Sequence, residues 1–289
     1  MKNDTNYDRA NAGKADFEWT YNRLDPRAYF KTLGALDYAI PERAAPVFRR
    51  VIDACATQRK RDRLNVIDIG CSYGINAAVL KYGAKMDELR EHYSEFNGIA
   101  SPHDVLEADR RLFSDSAAAC DLHVTGIDRA QFAASYAFWA GLLDDAIPEN
   151  LEERDPSPQA AETIAACDLV ISTGAVGYVT ERTFARILDC QPKGGMPWIA
   201  SFVLRMFDYA PVERVLGARG YTTEKLEGRF FKQRRFADAD EQAHVEALLA
   251  QERLDTEERE SEGHYLAEFY LSRPAAEARA TPLSCIVPR

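Results

Sequence analysis

At 289 residues the chain is long enough for one large α/β domain with additions and a substantial buried core. A formal charge of −10 argues against general attraction to phosphate backbones and so against nucleic acid as a partner. The six cysteines (Cys55, Cys71, Cys120, Cys167, Cys190, Cys285) form no C-x-x-C pair and have no histidine at zinc spacing, so no metal site is expected.

The first residues are polar (Lys2, Asn3, Asp4, Asn6, Asp8, Arg9) without an apolar signal core, and no later apolar run is long enough to span a bilayer. A soluble, cytoplasmic protein with reduced thiols and no membrane partner is the expectation. Residues up to about Glu18 read as a flexible tail. Trp19, Tyr21, Tyr29, Phe30 and Tyr38 follow as an aromatic-rich segment broken by Pro26 and Pro41. Residues 1–40 are therefore expected to be a tail and lid, and 41–289 the main domain. A helix from Pro41 to about Thr57 is predicted, with proline in its first turn and Ala45, Val47, Phe48, Val51 and Ile52 on one face.

The run Leu64-Asn65-Val66-Ile67-Asp68-Ile69-Gly70-Cys71-Ser72-Tyr73-Gly74 then reads as a strand buried on both faces, a tight glycine turn, and a helix starting at Ile75. The turn lacks the central glycine of the nicotinamide G-x-G-x-x-G loop, which lets a pyrophosphate approach the helix; Ser72 and Tyr73 stand there instead. These residues resemble motif I of the class I S-adenosylmethionine-dependent methyltransferases, with Asp68, Gly70 and Gly74 at the matching positions. The resemblance implies S-adenosylmethionine as cofactor, contacted by Asp68, Gly70, Cys71, Ser72, Tyr73 and Gly74.

From about 82 to 119 the chain departs from the family pattern, with helical patterns over Met86 to Phe96 and Val105 to Phe113. The second is preceded by Ser101-Pro102-His103-Asp104, a capping signature with Asp104 in the glutamate's place. This region is expected either to be an inserted helical cap shaping an acceptor pocket or a solvated excursion. Leu122 to Asp128 reads as the second strand, ending in an acid of the kind that accepts hydrogen bonds from both ribose hydroxyls. A helix from Gln131 to Leu143 is expected to send Phe132, Tyr136, Phe138 and Trp139 into the core, and His123 reads as a core histidine. A short third strand is expected within residues 147–152.

Cys167 to Thr173 is the fourth predicted strand, and Gly174 to Tyr178 a loop before a helix from about Thr180. Ligands in open α/β sheets bind beyond the carboxyl ends of the strands. Ser172, Thr173 and Gly174 are thus further cofactor candidates, and the loop to Tyr178 should face the transferred group. Ser172-Thr173-Gly174-Ala175 departs from the N/D-P-P-Y/F motif that recognises amine targets in the family, which argues against adenine or glutamine nitrogen as acceptor. Further strands are predicted at Trp198 to Leu204, around Tyr221 to Leu226 and at Tyr265 to Ser272. A charged helix is predicted near 238–254, and the basic stretch Arg229 to Arg235 reads as a solvated strand or lid with an anion-binding alternative. The implied fold is α/β: a Rossmann-like seven-stranded, mostly parallel sheet with helices on both faces, plus an N-terminal and an inserted helical cap, covering roughly residues 43–273.

A sulfonium-bound methyl needs alignment with its acceptor and exclusion of water more than acid–base machinery. Tyr21, Tyr29, Tyr38, Tyr73 and Tyr178 are candidates for cation–π contact with the sulfonium. Tyr21, Tyr29, Tyr178 and Ser201 are the acceptor-pocket candidates, and Tyr178 is the catalytic one, with orientation of the acceptor as its role. The leading expectation is methyl transfer to a small molecule, in secondary metabolism. The alternatives are attack on the methionine γ-carbon, as in azetidine-2-carboxylate formation or aminocarboxypropyl transfer, a non-catalytic cofactor-binding subunit, and a nicotinamide dehydrogenase. Oligomeric state stays open, a homodimer included.

Overall fold

The computed structural model describes residues 6–96, 98, 100–116 and 119–288; Lys2, Asn3 and Asp4 of the predicted tail lie outside them. The strands are β1 (Leu64–Ile69), β2 (Leu122–Ile127), β3 (Asp145–Ile147), β4 (Leu169–Thr173), β5 (Trp198–Leu204), β6 (Tyr221–Lys225), β7 (Phe231–Arg235) and β8 (His264–Pro274). They form one sheet in the order β3-β2-β1-β4-β5-β8-β6, with β7 also paired to β8. Strands β1 to β5 run parallel, and β8 is antiparallel to β5, β6 and β7. This is the Rossmann-like sheet expected from the sequence, with one strand more. The basic stretch supplies the extra strand: β8 has 11 residues, enough to seat β7 against His264 to Ala267 and β6 against Tyr270 to Pro274 along one edge.

Local chemistry accounts for the elements that bear on the site. The central strands are apolar almost throughout because helices cover both faces. The Ile40–Arg59 helix buries Val47, Phe48, Val51, Ile52 and Cys55 and closes at Lys60, whose φ of 53° turns the chain toward β1. The order of strands reverses between β1 and β4, which opens a crevice beyond their carboxyl ends.

Four expectations differ from the structure. The segment read as a tail carries an Asn6–Ala12 helix, with Tyr7 and Ala10 buried. It is tied down by Tyr7 Oη donating to Asp208 O at 2.6 Å, Asn11 Nδ2 to Gly177 O at 2.8 Å and Ala15 N to Glu241 Oε1 at 2.8 Å. The helix after β2 spans Gln131–Trp139, short of the predicted end, because Gly141 (φ 80°) leaves the helical path. Of its aromatics only Tyr136 is buried; Phe132, Phe138 and Trp139 are exposed. His123 is half-exposed rather than core, with Nε2 2.9 Å from Asp145 Oδ2.

The insertion folds as the Met86–Glu95 and Pro102–Ser114 helices, the latter opened by reciprocal Ser101–Asp104 capping. Asp109, fully buried, pins it: Tyr93 Oη and Tyr136 Oη each donate to Oδ2 at 2.6 Å and His92 Nε2 lies 2.7 Å from Oδ1. A buried carboxylate with three partners is satisfied and locks two helices of the insertion to the helix after β2.

Candidate cofactor and acceptor site

The β1 strand ends in a turn in which Gly70 (φ 71°), Ser72 (φ 48°) and Gly74 (φ 75°) all lie in the left-handed region. The turn is so close to the β4 loop that a Cβ on Gly70 would fall 2.8 Å from that of Ala175, so glycine is required there. Ser72 is held in its strained conformation from across the sheet: its N–H donates to Asp128 Oδ2 at 2.8 Å, while Ala130 N donates to Asp128 Oδ1 at 2.8 Å. The acid after β2 and the glycine turn after β1 are therefore one unit. Burial pushes the Asp128 carboxyl up, and these two N–H groups work against that shift.

Beyond this unit lies a cavity of about 630 Å³, within the range of small-molecule sites. Of the residues singled out in the sequence, Gly70, Cys71, Ser72, Asp128, Thr173, Gly174, Tyr21, Tyr29 and Tyr178 line it. Tyr38 lines it too, and Tyr21 and Tyr38 each pack edge-on against Tyr29, with centroids 5.5 and 6.0 Å apart. Burial pushes the phenols of Tyr21 and Tyr29 well up and that of Tyr38 to about 12. All three remain neutral hydroxyls at physiological pH, offering π faces without charge.

Asp68, Tyr73, Gly74, Ser172 and Ser201 do not line the cavity. Asp68 is fully buried behind Asn76, whose Nδ2 donates to Asp68 Oδ1 at 2.9 Å and to Thr173 Oγ1 at 3.1 Å. Burial raises the Asp68 carboxyl to about 7, with the Asn76 hydrogen bond opposing and the Asp128 charge adding to the shift. Tyr73 is buried with its ring edge-on to Tyr29 and Tyr136. Its Oη accepts from Arg23 N at 2.9 Å and faces the Thr20 and Arg23 carbonyls at 3.2 Å, so it anchors the N-terminal segment. Gly74 backs onto Ala137 and Leu142. Ser172 and Ser201 are register partners on β4 and β5 and share a face. Successive strand residues alternate, so Thr173 takes the cavity side.

Several wall residues lie outside the site candidates read from the sequence, except that Gln233 and Arg234 fall in the basic stretch with its anion-binding alternative. The N-terminal segment contributes Asn11, Lys14, Asp16, Phe17, Glu18 and Asn22. The β7 strand contributes Gln233 and Arg234, which turn inward together because the β7–β8 register shifts between Lys232 and Arg235. Among the described residues none between 77 and 126 lines the cavity, so the insertion sits outside it and the N-terminal segment forms the cap. Glu152, on the wall beyond β3, accepts from Thr180 and Thr183 backbone and hydroxyl groups and caps the Glu181–Asp189 helix. Tyr178 is half-exposed on the wall, its hydroxyl pushed up chiefly by partial burial.

No helix among the described residues is long and apolar enough to cross a membrane, and no group of three potential metal ligands occurs among them. No protein-family model and no curated protein matches the chain. Among solved structures it is similar to magnesium protoporphyrin IX methyltransferase from Synechocystis PCC 6803, at 12% identity over 94% of this chain and 92% of that one, with a TM-score of 0.38. It is also similar to a plantazolicin methyltransferase, at 12% identity over 93% and 95% with a TM-score of 0.42. A third is a cyclopropane-fatty-acyl-phospholipid synthase-like protein from Lactobacillus casei, at 16% identity over 86% and 98% with a TM-score of 0.39.

Proposed function

We propose that the protein binds S-adenosylmethionine in this cavity and transfers its methyl group to a small-molecule acceptor lying over Thr173 to Tyr178. The observation that carries the reading is the coupling of the Gly70–Gly74 turn to Asp128 on the wall of one cavity. Each Asp128 oxygen receives one backbone N–H and keeps a lone pair for a ribose hydroxyl. The turn brings backbone close to the ligand where side chains would obstruct it. Tyr21, Tyr29 and Tyr38 supply neutral aromatic surface beside the turn, suited to a sulfonium by cation–π attraction.

S-adenosylmethionine, when bound, supplies a methyl already activated by positive sulfur. What remains for the chain is to hold the acceptor in line and keep water out. Tyr178, protonated at neutral pH, serves by donating a hydrogen bond that orients the acceptor. The cytoplasm and secondary metabolism are the setting this reading favours.

Calorimetric titration with S-adenosylhomocysteine tests the cofactor assignment, and mass spectrometry of the protein incubated with S-adenosylmethionine and a metabolite mixture tests the reaction. S-adenosylhomocysteine and a methylated metabolite are expected. Methylthioadenosine would overturn methyl transfer in favour of attack at the γ-carbon, with a cyclic amino acid if the methionine amine is the nucleophile. Binding of NADH in place of S-adenosylmethionine would overturn the cofactor assignment.

A further inference from the structure

Three cationic side chains line the cavity, and two of them are neutralised in place. Arg129 pairs with Glu18 at 2.7 Å. Arg234 is gripped bidentately by buried Glu241, at 2.9 and 2.7 Å. Lys14, the third, has no carboxylate within ion-pair distance among the described residues. Its Nζ looks instead onto aromatic rings, 4.6 Å from the centroid of Tyr178, 5.5 Å from Phe207 and 5.9 Å from Tyr265.

The position of Lys14 is fixed on both sides, by Asn11 on Gly177 O and by Ala15 N on Glu241. Tyr178 and Phe207 follow β4 and β5, so Lys14 stands at the acceptor end, away from the Asp128 unit that follows β1 and β2. Half-burying an ammonium without a counter-ion is costly, and π faces repay only part of that cost. The cost registers in the amine itself: burial, with the Arg234 charge beside it, lowers Lys14 to about 7 against a smaller opposing effect of Glu241. The other groups around it are the phenols of Tyr178 and Tyr265, Asp16 on its own segment, and His244, whose ring lies against Gly13.

We propose that Lys14 is a carboxylate subsite, so that the acceptor is a small carboxylic acid whose anion pairs with Lys14 Nζ beside the Tyr178 ring. This rests on the reading that the cofactor occupies the Asp128 end. An entering carboxylate supplies the counter-ion that the fold withholds from Lys14 but gives to Arg129 and Arg234. It also draws a proton onto the amine when binding occurs above the free amine's titration point. The subsite thus favours acids over isosteric amides, and it sets which end of the acceptor faces away from the cofactor.

The test uses the full chain saturated with S-adenosylhomocysteine and titrated calorimetrically with benzoate and with benzamide at about pH 8, in two buffers of different ionisation enthalpy. In a parallel titration at about pH 6, where the amine is charged before binding, benzoate is expected to bind about tenfold or more tighter than benzamide, the scale of one hydrogen bond to a charged group; at about pH 8 protonating the amine takes back part of that preference. Net proton uptake on binding is expected at about pH 8, because burial lowers the free amine. Lys14→Met should abolish both the preference and the uptake, whereas Lys14→Arg should keep the preference without the uptake, which a merely structural lysine would not do. Equal binding of the two probes at about pH 6, no binding of benzoate, or a preference that survives in Lys14→Met would overturn the proposal. A loss of about tenfold or more in S-adenosylhomocysteine affinity in a folded Lys14→Met variant would also overturn it, because the cofactor's own carboxylate would then be the partner. Should S-adenosylhomocysteine fail to bind the wild type, the cofactor reading falls separately, and the benzoate comparison on the free protein still decides the role of Lys14.

Discussion

Removing the Asp128 carboxylate tests the coupling of the turn to the cavity. In Asp128→Ala the N–H groups of Ser72 and Ala130 lose acceptors at 2.8 Å, and a bound ribose loses a charged one. A hydrogen bond to a charged group is worth about 1.5 to 3 kcal/mol, most of it recovered only where water can replace the lost partner. Water enters the ribose side readily but reaches Ser72 poorly, since that residue is buried. Without its acceptor, nothing offsets the strain of Ser72 at φ 48°. The expected loss in S-adenosylhomocysteine affinity is about 3 kcal/mol, roughly a hundredfold. Asp128→Asn keeps one oxygen but turns an amide nitrogen toward one of the two N–H donors, so a loss of about tenfold is expected. Calorimetry on variants checked for wild-type thermal unfolding measures both. Affinity of Asp128→Ala within about threefold of wild type would refute the coupling and remove Asp128 from the site.

Asp68 yields a stability prediction with a definite sign. Its carboxyl titrates at about 7 in the folded chain against an ordinary 3.8, so the fold favours the neutral form; that contribution is complete below about pH 4 and lost as pH rises through 7. Asp68→Asn should therefore gain on the wild type across that window by about 1.4 kcal/mol per pH unit, to at most about 4 kcal/mol, in urea melts; a pH-independent difference refutes the shift. Gly177→Ala should cost about 2 to 3 kcal/mol in the same melts, because φ is 109° and the new Cβ would fall on the Phe207 ring; an unchanged midpoint refutes the close approach. Tyr73→Phe leaves the Arg23 N–H without its 2.9 Å acceptor. It should cost about 1 to 2 kcal/mol and speed hydrogen exchange at Arg23, and unchanged exchange would show that the N-terminal segment is held elsewhere.

What the sequence displays, and what it hides, follows from how each part of the site is made. The β1 turn was legible because strand, glycines and helix are consecutive, and Asp128 because a strand-end acid is a local feature. That Asp68 and Ser172 stand off the cavity wall has the opposite origin. Both sit in recognisable strands, but which way a strand residue faces, and whether a neighbour such as Asn76 screens it, depends on packing between elements. The exposure of Phe132, Phe138 and Trp139 is hidden for the same reason, since an aromatic-rich helix does not announce which of its faces is covered. The cap was harder still. Lys14 meets Tyr178, Phe207 and Tyr265, partners drawn from three loops and strands far along the chain. Gln233 and Arg234 both turn inward only because a shift in the register against β8 breaks the alternation that their sequence would otherwise obey. A polar N-terminus with one lysine among many reads as tail. It becomes a wall once Tyr7, Asn11 and Ala15 find acceptors on loops and a helix that close after it in sequence. The Gly70–Asp128 side of the cavity is thus built from two motifs each legible locally, whereas the wall opposite draws on residues 11–22 and on β7, at opposite ends of the chain. Residues that select the acceptor should accordingly be sought between positions 11 and 22 and along β7, ahead of the insertion that first suggests itself.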